Sequence, residues 1–157
     1  MHEVEIRNEP ARRLAAMMHK GSFMGVGEVF QRLGAWAAAN DMFRPGAEML
    51  FVQFDHPRKT PVDRLRSAAC VTAPAGFEGD PDAGVTIVEL TPGPFAVALV
   101  KGAYDGLPGA WGWLYDTWLP ASGRTPAYDR PSFELYLNNP TQVAPDECLT
   151  TIHAPIV

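Results

Sequence analysis

The segment Phe133-Glu134-Leu135-Tyr136-Leu137 holds the residues best suited to chemistry. Side chains alternate between faces along an extended strand, so Glu134 and Tyr136 share one face and Phe133, Leu135 and Leu137 share the other. A carboxylate withdrawn from water is costly unless it meets a cation or a hydrogen-bond donor. Aromatic faces add cation–π attraction. Apolar walls with one placed acid are what a small-molecule pocket needs, and this set would take a flat, apolar, cationic ligand. The same spacing fits a half-exposed strand on which Glu134 simply faces water, and the residues alone leave both readings open.

A second cluster, Trp111-Gly112-Trp113-Leu114-Tyr115-Asp116-Thr117-Trp118, packs four rings into eight residues. Trp111 and Trp118 fall on an apolar helix stripe and read as core. Trp113 and Tyr115 lie off it, lining a cavity or lying on the surface. Phe23 and Tyr104 each sit just ahead of a helix, as ligand contacts or as plugs over the core. Other signatures are weak. Gly25-Val26-Gly27-Glu28-Val29-Phe30 begins like a dinucleotide fingerprint but lacks the third glycine and the βαβ setting. The histidines His2, His19, His56 and His153 are scattered, His19 and His56 could serve as acid–base groups but lone histidines near strand ends are more often surface residues, and two cysteines are too few for a zinc site without their help. No metal or other cofactor is expected. Cys70 and Cys148 read as buried structural thiols. No nucleophile–histidine–acid ordering is visible.

The elements that must hold these residues repeat. Lys20-Gly21-Ser22-Phe23-Met24-Gly25 matches Lys101-Gly102-Ala103-Tyr104-Asp105-Gly106, 81 positions later, and Val4, Ile6, Ala15 and Leu33 recur at the same offset. Leu50–Pro57 matches Phe133–Pro140 at an offset of 83, which pairs Phe51 with Glu134 and Gln53 with Tyr136. Ala73-Pro74 matches Ala154-Pro155, again 81 apart. Each half reads as a leading extended segment, a strand, a helix and two strands. Val26, Val29, Phe30, Leu33, Trp36 and Ala37 form an amphipathic stripe, and so do Leu107, Ala110, Trp111, Leu114 and Trp118. Pro108 suits the first turn of the second helix. The turn-rich stretch 74–84 joins the halves. The expected class is α+β with antiparallel strands: one domain over 1–157, built as a pseudo-two-fold pair of repeats at about 1–76 and 83–157. Phe51, Gln53, Glu134 and Tyr136 would then converge at the seam between them.

At 157 residues, with 46% apolar and 20% charged, the chain is of ordinary globular composition and long enough for a real core. Its 13 Lys and Arg against 18 Asp and Glu give a net charge of −5, which argues against direct nucleic-acid binding. No run is apolar enough for a membrane span, and the N-terminal stretch lacks a signal-peptide core. A cytoplasmic location is expected.

Taken together, Lys101–Leu107, Trp118-Leu119-Pro120-Ala121-Ser122-Gly123, Phe133–Pro140 and Leu149-Thr150-Thr151-Ile152-His153-Ala154-Pro155 resemble the GyrI-like family. Phe54-Asp55-His56-Pro57 and Leu65–Val71 extend the resemblance over nearly the whole chain. The family includes effector-binding domains attached to AraC-type and MerR-type regulators. The resemblance implies two strand–helix–strand–strand (SHS2) modules with a site between them for hydrophobic, often aromatic or cationic, drugs and dyes. It places the pocket acid on Glu134 and pocket tyrosines on Tyr104 and Tyr136. Phe23 and Phe51 join the ligand set through the repeat, and Trp113 as a further wall. Lys20-Gly21-Ser22-Phe23 departs from the family pattern by lacking the usual tyrosine. Because the repeat begins by Val4, with no room for a helix-turn-helix segment, the chain resembles the stand-alone branch. The resemblance implies three functions: sensing, sequestering or multidrug recognition of a lipophilic small molecule; hydrolysis of reactive cyclopropane-containing toxins, with Glu134 as base or stabiliser and Tyr104 or Tyr136 as donor; or contact with a protein partner such as DNA gyrase or a regulator.

Overall fold

The Lys-Gly pair of each repeat turns the chain from a strand into a helix. In the computed structural model, which describes residues 2–157, Gly21 has φ 106° and Gly102 φ 135°, values that a side chain disfavours. The Gly21 N–H donates to Leu65 O (2.8 Å) and the Gly102 N–H to Cys148 O (2.9 Å). The chain then makes a 3₁₀ turn, Phe23–Gly25 or Tyr104–Gly106, and enters a helix, α1 (Val26–Ala39) or α2 (Leu107–Trp113). Phe23 and Tyr104 thus open equivalent turns, each pinned to the strand start behind it.

Among the described residues there are eight strands: β1 (Glu3–Glu9), β2 (Arg12–Lys20), β3 (Met49–Gln53), β4 (Arg66–Thr72), β5 (Thr86–Leu90), β6 (Gly93–Lys101), β7 (Ser132–Tyr136) and β8 (Leu149–Pro155). The class is α+β. The chain forms two compact units, one of Ala11–Thr91 and one of the segment up to Pro10 with Pro92–Val157. Within the first the strand order is β3-β4-β2-β5, and within the second β1-β6-β8-β7, all antiparallel. In the first unit Val29, Leu33, Trp36 and Ala37 of α1 pack on Ala15, Met17, Ala69 and Val71. In the second, Leu107, Ala110 and Leu114 pack on Ala96, Ala98, Val100, Ile152 and Ala154. The opposite strand faces are apolar and buried too, through Leu14, Leu50, Val52 and Cys70 in one unit and Phe95, Val97 and Phe133 in the other.

The compact units are cut differently from the sequence repeats. β1, the leading strand of the first repeat, pairs along its whole length with β6 of the second (Ile6 with Ala96). β5, the leading strand of the second repeat, pairs with β2 of the first (Leu14 with Val88). The leading strands are exchanged.

Register also corrects one sequence match. Lys20 pairs with Arg66 and Lys101 with Leu149, so β4 and β8 correspond at an offset of 83, and Ala73-Pro74 is not equivalent to Ala154-Pro155. At that offset Asp55 and Asn138 do the same job. Asp55 Oδ2 accepts from Arg66 N (3.0 Å) and Asn138 Oδ1 from Leu149 N (2.9 Å), each capping a strand start.

The second helix departs from the expected single run over Leu107–Trp118. α2 stops at Trp113, a π-helical turn covers Leu114–Trp118, and α3 (Leu119–Ser122) completes it. The Leu119 N–H reaches back five residues to Leu114 O. Pro120 gives the reason: its ring lacks an N–H and would clash with the carbonyl four residues earlier, so the helix widens by one residue there.

Candidate functional site

Glu134 lies on β7 opposite Ile152 of β8, on the face that α2 covers. Its side chain is 6% exposed, which removes the solvent-facing reading. Two neutral donors meet it: Trp111 Nε1–H on Oε2 (2.8 Å) and Tyr136 O–H on Oε1 (2.7 Å). Burial pushes the Glu134 carboxyl above the ordinary carboxylate range, while the bonds from Trp111 and Tyr136 pull it back. No basic side chain is among the causes of that shift. The Tyr104 ring lies 5.2 Å from that of Tyr136, and its phenol is pushed up to about 12 by burial and then by Cys148 and Glu134, so it stays a neutral donor at pH 7. Tyr115 stacks on Trp111 (6.1 Å between centroids, 24° between planes). The result is a corner of aromatic rings around one desolvated carboxylate. A carboxylate has about four acceptor sites, and two of these are filled.

The unit of residues 11–91 builds the same corner without charge. Phe51, the counterpart of Glu134, meets Phe23 edge-on (5.3 Å) and Phe30 (6.2 Å, 67°). Phe30 is the counterpart of Trp111, so a ring-on-ring contact in one unit becomes an indole–carboxylate hydrogen bond in the other. Of the expected site residues, Glu134, Tyr136 and Tyr104 come together in one corner, and Phe23 and Phe51 in the other. Trp113 packs edge-on to His2 (5.2 Å) and against the α2 core. Trp111, which sequence reasoning assigned to the core, packs against it and also holds the acid, a role the sequence reading missed. The signal was present in the repeat, because positions 30 and 51 carry rings where 111 and 134 carry a donor and an acid.

Other candidates fall elsewhere. Cys70 is fully buried and its thiol is pushed up by burial. Cys148 is buried beside Tyr104. His19 Nε2 lies 2.8 Å from Ser22 O. His153 Nδ1 lies 2.7 Å from Glu9 Oε1 and its Nε2 2.8 Å from Thr151 Oγ1, with its ring stacked on Phe133 at 4.2 Å. Among the described residues no group of three or more His, Cys, Asp or Glu side chains is placed to hold a metal ion, and no helix is long and apolar enough to cross a membrane.

Comparison with known proteins bears on the family and the fold. The pattern of the GyrI-like small molecule binding domain matches residues 2–157. The DNA gyrase inhibitor of Escherichia coli (strain K12) is 31% identical over 140 residues, spanning 86% of this chain and 85% of that protein. Among solved structures, the C-terminal domain of EcmrR superposes with a TM-score of 0.78 at 14% identity, covering 100% of this chain and 98% of that one. SAV2435 bound to tetraphenylphosphonium gives 0.70 at 14% identity, covering 99% and 94%.

Proposed function

This chain belongs to the GyrI-like family of small-molecule-binding domains, and from that premise we propose that it binds a lipophilic aromatic cation at the corner formed by Glu134, Trp111, Tyr136 and Tyr104. The observation that carries this reading is Glu134 itself, a carboxylate at 6% exposure held by two neutral donors. Among the described residues no basic side chain acts on that charge, and a cationic ring system would supply a counter-charge while covering the tyrosine faces. Phe23, Phe30 and Phe51 offer rings without a charged group, so charge recognition rests on Glu134. SAV2435, a protein of the same fold, is known bound to tetraphenylphosphonium, a ligand of this class.

The test is equilibrium binding of a fluorescent rhodamine cation by the wild type and by Glu134→Gln. Losing the charge contact is expected to weaken binding by roughly 2–5 kcal/mol. Equal affinity in both proteins would remove Glu134 from the site.

Two further readings have a specific observation behind them. A carboxyl raised above its usual range is a stronger base than an ordinary carboxylate, which is what hydrolysis of a strained-ring toxin would ask of Glu134, with Tyr104 as a neutral donor. Product formation from such a substrate, lost in Glu134→Gln, would establish it. A relative that is 31% identical is named a DNA gyrase inhibitor. A supercoiling assay with gyrase and the purified chain tests that role, and no change in supercoiling at excess protein would exclude it.

A further inference from the structure

Thr150 is a polar side chain on the floor of the acid corner that takes no part in holding the acid. It lies on β8 directly across from Tyr136 of β7, a pairing that puts Cβ atoms about 5 Å apart. Its other neighbour is Val100 of β6. Thr150 shares a face with Ile152 and Ala154, the face on which α2, Tyr104 and Tyr136 pack. Its exposure is 1%, and among the described residues its Oγ1 has no hydrogen-bond partner. A buried hydroxyl left unsatisfied costs free energy that a shape-matched valine would not. The equivalent position of the other unit, Ser67 across from Gln53, also carries a buried hydroxyl with no partner among the described residues. The hydroxyl is thus kept at this position in both repeats, although the neighbouring pair changes from Phe51 and Gln53 to Glu134 and Tyr136.

We infer that Thr150 Oγ1 is a specificity-determining contact of the acid corner, and that the ligand is an aromatic cation bearing its own N–H groups rather than a fully alkylated or arylated onium ion. This rests on the proposal that the corner binds a cation. The corner's remaining capacity is chiefly for accepting. Glu134 has about two acceptor sites left after Trp111 and Tyr136, and a threonine hydroxyl brings two more and one donor. The indole N–H and the Tyr136 O–H are committed to the acid. An onium ion without hydrogens neutralises Glu134 and leaves Thr150 unsatisfied. An amino-substituted or protonated aromatic cation answers both.

A matched pair of dyes isolates the hydroxyl. The methyl ester of rhodamine with two unsubstituted amino groups and its tetramethyl analogue share one cationic ring system and differ in N–H against N–CH₃. Wild type is expected to bind the amino dye at least about three- to tenfold more tightly, the range of one typical hydrogen bond. Thr150→Val should reduce that ratio, leaving only the part that Glu134 contributes, without lowering the melting temperature, since it removes a buried orphan rather than a paired group. Ser67→Ala gives the corresponding stability control. A Thr150→Val protein that keeps the wild-type preference overturns the role of Thr150 while leaving the cation site intact, provided Glu134→Gln still weakens both dyes. Wild type that binds neither dye overturns the cation-binding reading and this inference with it. Equal wild-type affinity for the two dyes overturns this inference alone.

Discussion

A carboxyl held above its usual range makes opposite demands on the empty and the loaded protein. Because the folded-state pKa of Glu134 is raised, its contribution to stability is fully present below the ordinary carboxylate value of about 4.3 and is lost as pH rises through the raised value. Binding of a cation runs the other way, strengthening as Glu134 ionises over the same interval. Melting curves with and without a rhodamine cation, taken between about pH 4 and 8, should show the ligand-induced gain growing with pH. In Glu134→Gln both dependences should flatten. A ligand-induced gain that is constant across this range in wild type would contradict the assignment. Trp111 tunes the same equilibrium. Its N–H favours the ionised form, so Trp111→Phe should move the midpoint of the binding profile to higher pH and weaken binding on the acid side of that midpoint. An unmoved midpoint would reduce Trp111 to packing. At this scale the sequence was partly legible. Strand alternation put Glu134 and Tyr136 on one face, but it could not say whether that face met water, because a face of Ser132, Glu134 and Tyr136 reads equally as solvent-exposed or as the polar floor of a covered corner. Trp111 was hidden by its own helix stripe, since periodicity reports which face is buried and not what an indole nitrogen meets there.

Among the elements, β1 is the least embedded: only Glu9 of its seven residues is buried. That residue approaches the fully buried His153 of β8, so the end of an exposed strand is fastened by a buried polar pair. Removing one member of such a pair typically costs about 3–5 kcal/mol because the other remains buried. Glu9→Ala should therefore lower stability by about 3 kcal/mol in urea titration and speed amide exchange along Glu3–Glu9. A loss below about 1 kcal/mol would mean the strand is held by its backbone ladder instead. The existence and order of the strands were readable from their apolar runs, while their partners were not. Alternation fixes faces, and pairing is decided by what each face must cover. One clue stood in the chain nonetheless. Pro10-Ala11 separates β1 from β2, and proline, fixed near φ −65°, cannot supply the positive φ that a tight two-residue hairpin of the I′ type demands. The π turn has a similar clue in Pro120, six residues beyond Leu114 and within a pattern that otherwise reads as continuous helix.

For the molecule as a whole, exchange of leading strands makes the two repeats interdependent. A cut in the linker, between Gly76 and Ala83, would leave β1 on the first fragment and its partner β6 on the second, while β5 stays with the second and its partner β2 with the first. Each fragment alone would carry one strand with no ladder to join and lack one that its own unit needs. Residues 2–76 and 83–157 expressed separately should therefore be unfolded or aggregated. Expressed together they should purify as a stoichiometric complex with the strand content of the intact chain. Two independently folded, monomeric fragments would show that each repeat can take back its own leading strand, as the sequence repeat by itself implies. The acid corner makes the comparison functional as well. Glu134, Trp111, Tyr136 and Tyr104 all lie in the second fragment, yet their unit includes β1, so dye binding should appear only when the first fragment is present to supply that strand.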